Sequence, residues 1–231
     1  MRFTEYMSNL KQISDKVFML ASLNAGSNVY LIKDEKPVLI DTSLTLNSIK
    51  LNELLAKANL SKQDIAYVLH THGHSDHWGN SFEFSAQKNF MHSLDADHVN
   101  QQADEFAYAS LFNLKNWPKI GNKISQEQTL NLGEMQLQIL FTPGHTAGSV
   151  SFYEPGLKFL FSGDTVFSEG LVGRTDVLTG NGNALKQSVL KLNQLEIQGL
   201  FPGHWKELLG LKLNRENFKQ IFSSLGLAES F

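Results

Sequence analysis

The chain has 231 residues and a net charge of −3, and hydrophobic residues make up 42% of it. This length fits one large domain or two small ones, and the apolar content is sufficient for a substantial core, which excludes a disordered chain. Acidic and basic residues are dispersed along the chain, so we expect neither a nucleic-acid partner nor an anionic membrane surface.

The sequence contains no cysteine, which excludes disulfides, thiolate ligands and cysteine nucleophiles. Any metal site must therefore be built from histidine and carboxylate. The first 15 residues mix charged and apolar side chains and lack the apolar core of a signal peptide. No apolar run approaches the ~20 residues that cross a bilayer. We expect a cytoplasmic protein without a membrane segment.

The first half of the chain predicts strands and helices in alternation. Strands are predicted at 17–22, 27–33, 37–41, 65–69 and 89–92, a turn at 24–26, and helices at 45–59 and 78–86. Residues 95–114 carry apolar side chains at helical intervals, which predicts one or two helices. Because this segment is long for a connection inside a compact sheet, we expect a helical insertion at about 93–118.

The second half returns to strands, separated by glycine and proline. Strands are predicted at 129–132, 136–142, 149–153, 158–162 and 199–201, and helices at 183–195 and 214–225. Each half therefore runs several strands and then helices. This order favours one α/β domain over 1–231, with four layers, two sheets inside and helices outside.

A cluster of potential metal ligands follows the predicted strand at 65–69. His72, His74, Asp76 and His77 lie within six positions, and imidazole and carboxylate suit zinc, iron or manganese. In an extended loop, the side chains on either side of Gly73 point the same way, while the next two ligands can aim at a second position. A solvated loop would explain one or two histidines but not four ligands in this order.

Three further predicted strands end in a potential ligand beside glycine. They lead to His145, Asp164 and His204. Glycine and proline at these strand ends let the backbone turn sharply and bring a ligand into a crowded site. Seven ligands are too many for one tetrahedral metal, but they suit two metals that share a carboxylate.

The order HxHxDH, then His, Asp and His, resembles the metallo-β-lactamase fold superfamily over nearly the whole chain. The resemblance implies an αββα sandwich of two mixed β-sheets, with the site at one edge between them. It also implies a ligand set: His72, His74 and His145 for the first metal, Asp76, His77 and His204 for the second, and Asp164 as the bridge. Two divalent ions are implied, zinc first, with iron or manganese as alternatives.

The same resemblance implies a metal-dependent hydrolase with a small-molecule substrate. Two cations ~3.5–4 Å apart would share a water and lower its pKa towards ~7, and the resulting hydroxide would attack an ester-type bond. Asp76 and Asp164 are the carboxylates to which we assign a catalytic part. A homodimer stays open.

Three residues outside the ligand set are candidates for supporting it. Asp41 ends a predicted strand, at a position where the superfamily often keeps an acidic residue. We weigh two roles for Asp41 evenly: orienting the imidazole of a ligand, and capping the end of the strand. Arg174 and Asp176 belong to a GRxD stretch that resembles glyoxalase II-type thioesterases and persulfide dioxygenases. We interpret the two as an internal ion pair that braces the loop beside Asp164.

The favoured substrate is a thioester, as in hydroxyacylglutathione hydrolases of the glyoxalase II type. Three departures put glutathione recognition in doubt. Trp205 follows the last histidine where those enzymes usually have Glu, and Leu200-Phe201-Pro202 replaces the tyrosine-containing sequence before that histidine. The long helical C-terminal domain is not in the 27 residues after His204. The alternatives are a persulfide dioxygenase with one iron on His72, His145 and Asp164, and a lactonase roofed by the insertion. A non-catalytic binding module is least favoured, because none of the seven ligands is missing.

The remaining histidines and tryptophans are expected to be structural. We predict a buried, hydrogen-bonded His70 and surface positions for His92 and His98. Trp78 and Trp205 are expected to pack under the site or in the core. The aromatic residues of the insertion are interpreted as core rather than as a roof over the site.

Overall fold

The computed structural model describes residues 9–22 and 25–227, and its strands form two sheets. The first sheet contains, in this order across it, β1 (Leu10–Gln12), β2 (Val17–Leu20), β3 (Val29–Ile32), β4 (Val38–Ile40), β5 (Tyr67–Leu69), β6 (Asn89–His92) and β7 (Asn122–Ile124). Neighbours from β1 to β4 are antiparallel, and those from β4 to β7 are parallel. The predicted turn at 24–26 includes Asn24, which lies outside the described residues.

The second sheet is built from the later part of the chain. It contains β8 (Gln128–Asn131), β9 (Gln136–Phe141), β10 (Val150–Glu154), β11 (Phe159–Gly163), β12 (Gly199–Pro202) and β13 (Leu208–Leu209). The strand order is β13-β12-β11-β10-β9-β8, and all pairs are antiparallel except β11 with β12. Both sheets are therefore mixed, as predicted.

Helices cover the outer faces of both sheets. The α-helices of the described residues are α1 (Ser48–Lys57), α2 (Ser75–Trp78), α3 (Ser93–Asn100), α4 (Asp104–Ala107), α5 (Gly182–Leu192) and α6 (Leu211–Leu225). Helix α1 packs its buried leucines on the first sheet, and α5 and α6 pack on the second. A third apolar cluster fills the space between the sheets. These contacts confirm the predicted four-layer αββα fold.

The alternating directions of side chains along each strand explain how the sheets pack both on each other and on the helices. In β4, Val38 and Ile40 face the space between the sheets, whereas Leu39 faces α1. In β12, Phe201 points inward and Leu200 points towards α5 and α6. Successive side chains of a strand point to opposite faces, so strands covered on both faces become continuous apolar runs.

The predicted helix at 78–86 is wrong. Helix α2 ends at Trp78, and short 3₁₀ turns follow at Ser81–Glu83 and Ala86–Lys88. The reason is Asn80, whose buried amide donates to the carbonyls of Thr42 and Leu44 at 2.7 and 2.8 Å. These bonds tie the chain to the loop after β4 instead of letting it continue as a helix.

The chain between β6 and β7 contains α3, α4 and a 3₁₀ turn at Ala109–Phe112. This is the segment for which an insertion is predicted, and it packs its own apolar cluster against Trp78 and Leu44. No helix in the described ranges combines the length and the apolarity that crossing a bilayer requires.

Replacing Phe201 by alanine tests the core between the sheets. Its ring is fully buried, stacked on Phe161 at 5.1 Å and edge-on to Tyr30 at 5.6 Å. We expect Phe201→Ala to lower the free energy of unfolding by ~3–5 kcal/mol, measured by urea denaturation of metal-free protein. Leu213→Ala, on an exposed position of α6, is the control, with an expected loss below ~0.5 kcal/mol. Equal losses would contradict the assignment of Phe201 to the core.

Candidate metal centre

The candidate ligands lie where strands of both sheets end at one edge of the sandwich. His72 and His74 follow β5 of the first sheet, and α2 carries Asp76 and His77. From the second sheet, the loop after β9 carries His145, and Asp164 and His204 follow β11 and β12. In sheets with parallel strands, this edge is where α/β proteins assemble their sites. The structure therefore brings all seven predicted side chains together.

Three buried histidines form the first group. The ligand atoms of His72, His74 and His145 all lie within 4.8 Å of one another. His74 Nδ1 and His145 Nε2 are 2.9 Å apart. His145 Nδ1 donates to the Arg174 carbonyl at 2.7 Å, and this bond leaves the other ring nitrogen, Nε2, facing the group.

The second group contains Asp76, His77 and His204. His204 Nε2 lies 3.1 Å from Asp76 Oδ2 and 3.3 Å from His77 Nε2. Asp164 lies between the two groups: its Oδ1 is 3.4 Å from His77 Nε2, and its Oδ2 is 3.7 Å from His145 Nε2. This carboxylate can therefore reach both groups.

The donor set and its burial fit a pair of divalent cations. His72 Nε2 is buried and has no hydrogen-bond partner among the described residues, which is costly unless the nitrogen serves as a ligand. Imidazole nitrogen and carboxylate oxygen are ligands of zinc, iron and manganese. The part that each side chain plays as a ligand is a prediction that this geometry supports.

The electrostatics of the site favour the ligating forms of several side chains. Burial, with repulsion from His145, lowers the pKa of His74 to about 3, and burial also holds the pKa of His72 well below its ordinary value. Both rings are therefore neutral at pH 7, as metal binding requires. Burial raises the pKa of Asp164, but attraction to His204 and His77 outweighs it and holds that pKa well below its usual value.

His77 experiences the opposite balance. Burial lowers its pKa, but Asp41, Asp164 and Asp76 together raise it well above the ordinary value for histidine. The second group is therefore a region of negative potential, which suits a cation.

Asp41 contacts a candidate ligand directly. Its Oδ2 accepts from His77 Nδ1 and from the Thr71 hydroxyl, both at 2.8 Å, and its Oδ1 accepts from the Thr71 N–H at 2.9 Å. The bond to Nδ1 sets the ring orientation and leaves Nε2 facing the group. These contacts favour the imidazole-orienting interpretation over the strand cap.

Arg174 and Asp176 form an ion pair, but the pair is not internal. Two bonds of 2.9 Å join the side chains, which are 74% and 71% exposed. The preceding Gly173 packs so tightly that a Cβ there would lie 1.9 Å from the Asp164 carbonyl oxygen, and the pair that follows lies on the surface. Exposed ion pairs contribute little, so the contact that matters is the Arg174 carbonyl on His145.

The two tryptophans that follow ligand positions differ. Trp78 is fully buried, 5.0 Å from the ring of Trp117, and its Nε1 donates to the Gly73 carbonyl at 2.8 Å. Trp205 is 53% exposed and lies 4.6 Å from the ring of Phe167. The expectation of buried packing is therefore confirmed for Trp78 and wrong for Trp205, which lines the rim of the site.

Histidines outside the candidate ligand set differ in whether their predicted burial is confirmed. His70 is buried and lies 3.3 Å from the Asn89 amide oxygen, as predicted. His92 is buried against Phe141 rather than on the surface, and its Nδ1 accepts from the Leu94 N–H at the start of α3.

The segment between β6 and β7 meets the site through two aromatic rings. Phe106 is fully buried, with its ring 5.7 Å from that of His74, and Tyr108 lies 5.3 Å from the same ring. Tyr108 has a φ of 58°, a left-handed conformation that is uncommon for a bulky residue. The expectation that the aromatic residues of this segment are core is therefore confirmed for Phe106, whereas Tyr108 is only partly buried.

Two residues that hold the ligand loops are not among the sequence-based candidates. Asn28 is not a candidate ligand. Its side chain donates to the carbonyls of Pro202 and Trp205, both at 2.9 Å, on either side of His204. Asp95 is buried and bonded to the N–H of Gly73, between two ligands. The available signal was indirect: glycines beside ligands mark backbone that another group approaches closely.

Comparison with known proteins gives a consistent picture. The family model described as the metallo-beta-lactamase superfamily matches residues 24–204. A probable metallo-hydrolase of Methanocaldococcus jannaschii is 36% identical over 200 residues, covering 80% of this chain and 92% of the relative. A hydroxyacylglutathione hydrolase of Idiomarina loihiensis is 46% identical over 72 residues, 31% of this chain and 26% of the relative. A protein crystallised in a di-iron-bound form is 28% identical with a TM-score of 0.70, covering 87% of this chain and 98% of that one.

Replacing Asp41 by asparagine tests the support of His77. An amide preserves size and tolerates the left-handed φ of 56° at this position, but it cannot accept all three hydrogen bonds. We expect one of two metal equivalents to bind ~10–100-fold more weakly, measured by chelator competition. Glu53→Gln, on the exposed face of α1, should leave both affinities unchanged. Wild-type affinity in Asp41→Asn would exclude the orienting role.

Proposed function

Because the chain belongs to the metallo-beta-lactamase superfamily, we propose that it is a dinuclear metal-dependent hydrolase that acts on thioesters. The observation that carries this proposal is the convergence of two ligand groups on one carboxylate, Asp164. One group alone would be consistent with a structural metal. Two groups around a shared carboxylate are the arrangement of hydrolytic two-metal sites.

The ligands divide as the superfamily pattern implies: His72, His74 and His145 would hold the first cation, Asp76, His77 and His204 the second, and Asp164 both. Zinc is the first candidate, and the di-iron form of a structural relative keeps iron as the second. When bound, the cations would supply a water of lowered pKa as nucleophile and stabilise the charge that develops on the carbonyl oxygen.

The protein's own groups prepare the site for that chemistry. Asp76 and Asp164 have 16% and 10% of their side chains exposed, so both carboxylates meet solvent that enters the site. The catalytic part that we assign to them is to hold the cations that would activate the attacking water. Trp78 and Phe106, both fully buried, exclude water from the side of the site that faces the core.

Two observations support a thioester as the substrate. The aligned segment of a hydroxyacylglutathione hydrolase is 46% identical to this chain, and the GRxD stretch contains Arg174, whose carbonyl orients His145. The rim also carries Trp205, an exposed ring beside His204. We further propose that the insertion at 93–118 forms one wall of the substrate pocket, since Tyr108 lies against His74.

A substrate panel tests the proposal. Protein loaded with zinc or iron is assayed with S-lactoylglutathione, an acyl-coenzyme A, a homoserine lactone, nitrocefin and a phosphodiester. We expect a thioester to give the highest kcat/KM. In His74→Ala, kcat/KM should fall by more than ~100-fold. This loss exceeds the ~10–100-fold that is usual when a residue that supports a metal ligand is replaced. Glu53→Gln, on the exposed face of α1 and away from the site, should retain activity.

The outcomes separate the alternatives. Unchanged turnover in His74→Ala, with folding verified by circular dichroism, would exclude the dinuclear mechanism. A higher kcat/KM for the homoserine lactone than for the thioesters would leave the dinuclear mechanism in place and change the proposed substrate class to a lactone. Oxygen consumption with glutathione persulfide, by protein that holds one iron per chain, would identify a persulfide dioxygenase instead.

A further inference from the structure

A buried carboxylate joins the two loops that carry the first group of histidines. Asp95 lies in the first turn of α3 and is fully buried. Its Oδ2 accepts from the Gly73 N–H at 2.8 Å and from the Thr146 hydroxyl at 2.7 Å. Its Oδ1 accepts from the Gly148 N–H at 2.8 Å. One side chain therefore connects the loop after β5 to the loop after β9.

Each of these bonds is made within three residues of a ligand. Gly73 separates His72 from His74, and Thr146 follows His145 directly. The packing is close: a Cβ on Gly148 would lie 2.4 Å from Asp95 Oδ1, and a Cβ on Gly73 would lie 3.1 Å from Asp95 Cβ. Both positions therefore need glycine for the carboxylate to reach the backbone.

Helix capping does not account for this carboxylate. The start of α3 is capped by His92, whose side chain accepts from the Leu94 N–H. A carboxylate without access to water is unfavourable unless donors surround it. All three donors that bond to Asp95 come from the two ligand loops. Asp95 therefore stabilises the positions of these loops.

We propose that Asp95 is a positioning residue for the first metal. It sets the distance between His72 and His74 on one loop and His145 on the other, acting through their backbones and not through their rings. The second group has a separate support in Asp41, so the effect of Asp95 is confined to the first. This inference rests on the two-metal site of the proposed function.

The central variant is Asp95→Asn, which preserves size. Wherever its amide nitrogen points, it faces a donor, so at least one of the three bonds is lost. In chelator competition with Zn²⁺, we expect one of two equivalents to bind ~10–100-fold more weakly and the other to be unchanged. Asp97→Asn is the matched control, because that exposed carboxylate on the same helix pairs with Lys123 at the surface.

Double variants identify the affected site. In a His204→Ala background, the first group is the complete one, and Asp95→Asn should still weaken the remaining equivalent. In a His145→Ala background, the first group is already broken, and Asp95→Asn should have little further effect. A general loss of stability would act in both backgrounds, so only a positioning role gives this difference.

Thr146→Val removes one bond and leaves the carboxylate in place. We expect weakening of the same equivalent by less than ~10-fold, and this variant decides the question if Asp95→Asn does not fold. Unchanged affinities, or equal weakening of both equivalents, would overturn the inference and leave the hydrolase proposal standing. Wild-type protein that binds no divalent metal would overturn both.

Discussion

The burial of polar ligands is the constraint on which the rest of this structure depends. Four of the seven candidate ligands are buried and three are partly buried. Imidazoles and carboxylates removed from water are costly unless charge and hydrogen bonding are matched. Opposite charges surround Asp164 and His77, and groups outside the site fix individual rings, as Asp41 does for His77 and the Arg174 carbonyl does for His145.

Neither ligand group belongs to one sheet. The first combines histidines after β5 with His145 from the second sheet, and the second combines α2 with His204 after β12. The site therefore depends on the relative placement of the sheets, which the core around Tyr30, Phe161 and Phe201 maintains. Tyr30 also donates across the sheets to the Pro202 carbonyl at 2.6 Å, two residues before His204.

The candidate ligands could be predicted because they follow apolar strands and five of the seven stand beside glycine, a local pattern. The layers could be predicted for a similar reason, since strand and helix periodicities are local. The edge strands β1, β7 and β13 were missed because they are two or three residues long, with little periodicity. Trp205 was placed wrongly because its exposure depends on a left-handed φ of 63° that spacing does not reveal.

Asp95 illustrates a different limit. In the sequence it is an acidic residue at the start of a helix, where such residues are common for electrostatic reasons. Its partners in space are two backbone N–H groups and one hydroxyl on segments 22 to 53 residues away. Backbone donors leave no side-chain signature, so only the assembled fold reveals them.

The contacts of the segment between β6 and β7 have a consequence for how new specificities can arise on this scaffold. A segment between two strands looks like an exchangeable module, free to diverge while the catalytic apparatus stays constant. Here Asp95 bonds to the Gly73 backbone, and the Phe106 ring leaves no room for a side chain at Gly73. Transplanting this segment from a homologue, or trimming it, would disturb the loops that carry the candidate ligands, so the segment and the candidate metal site must change together.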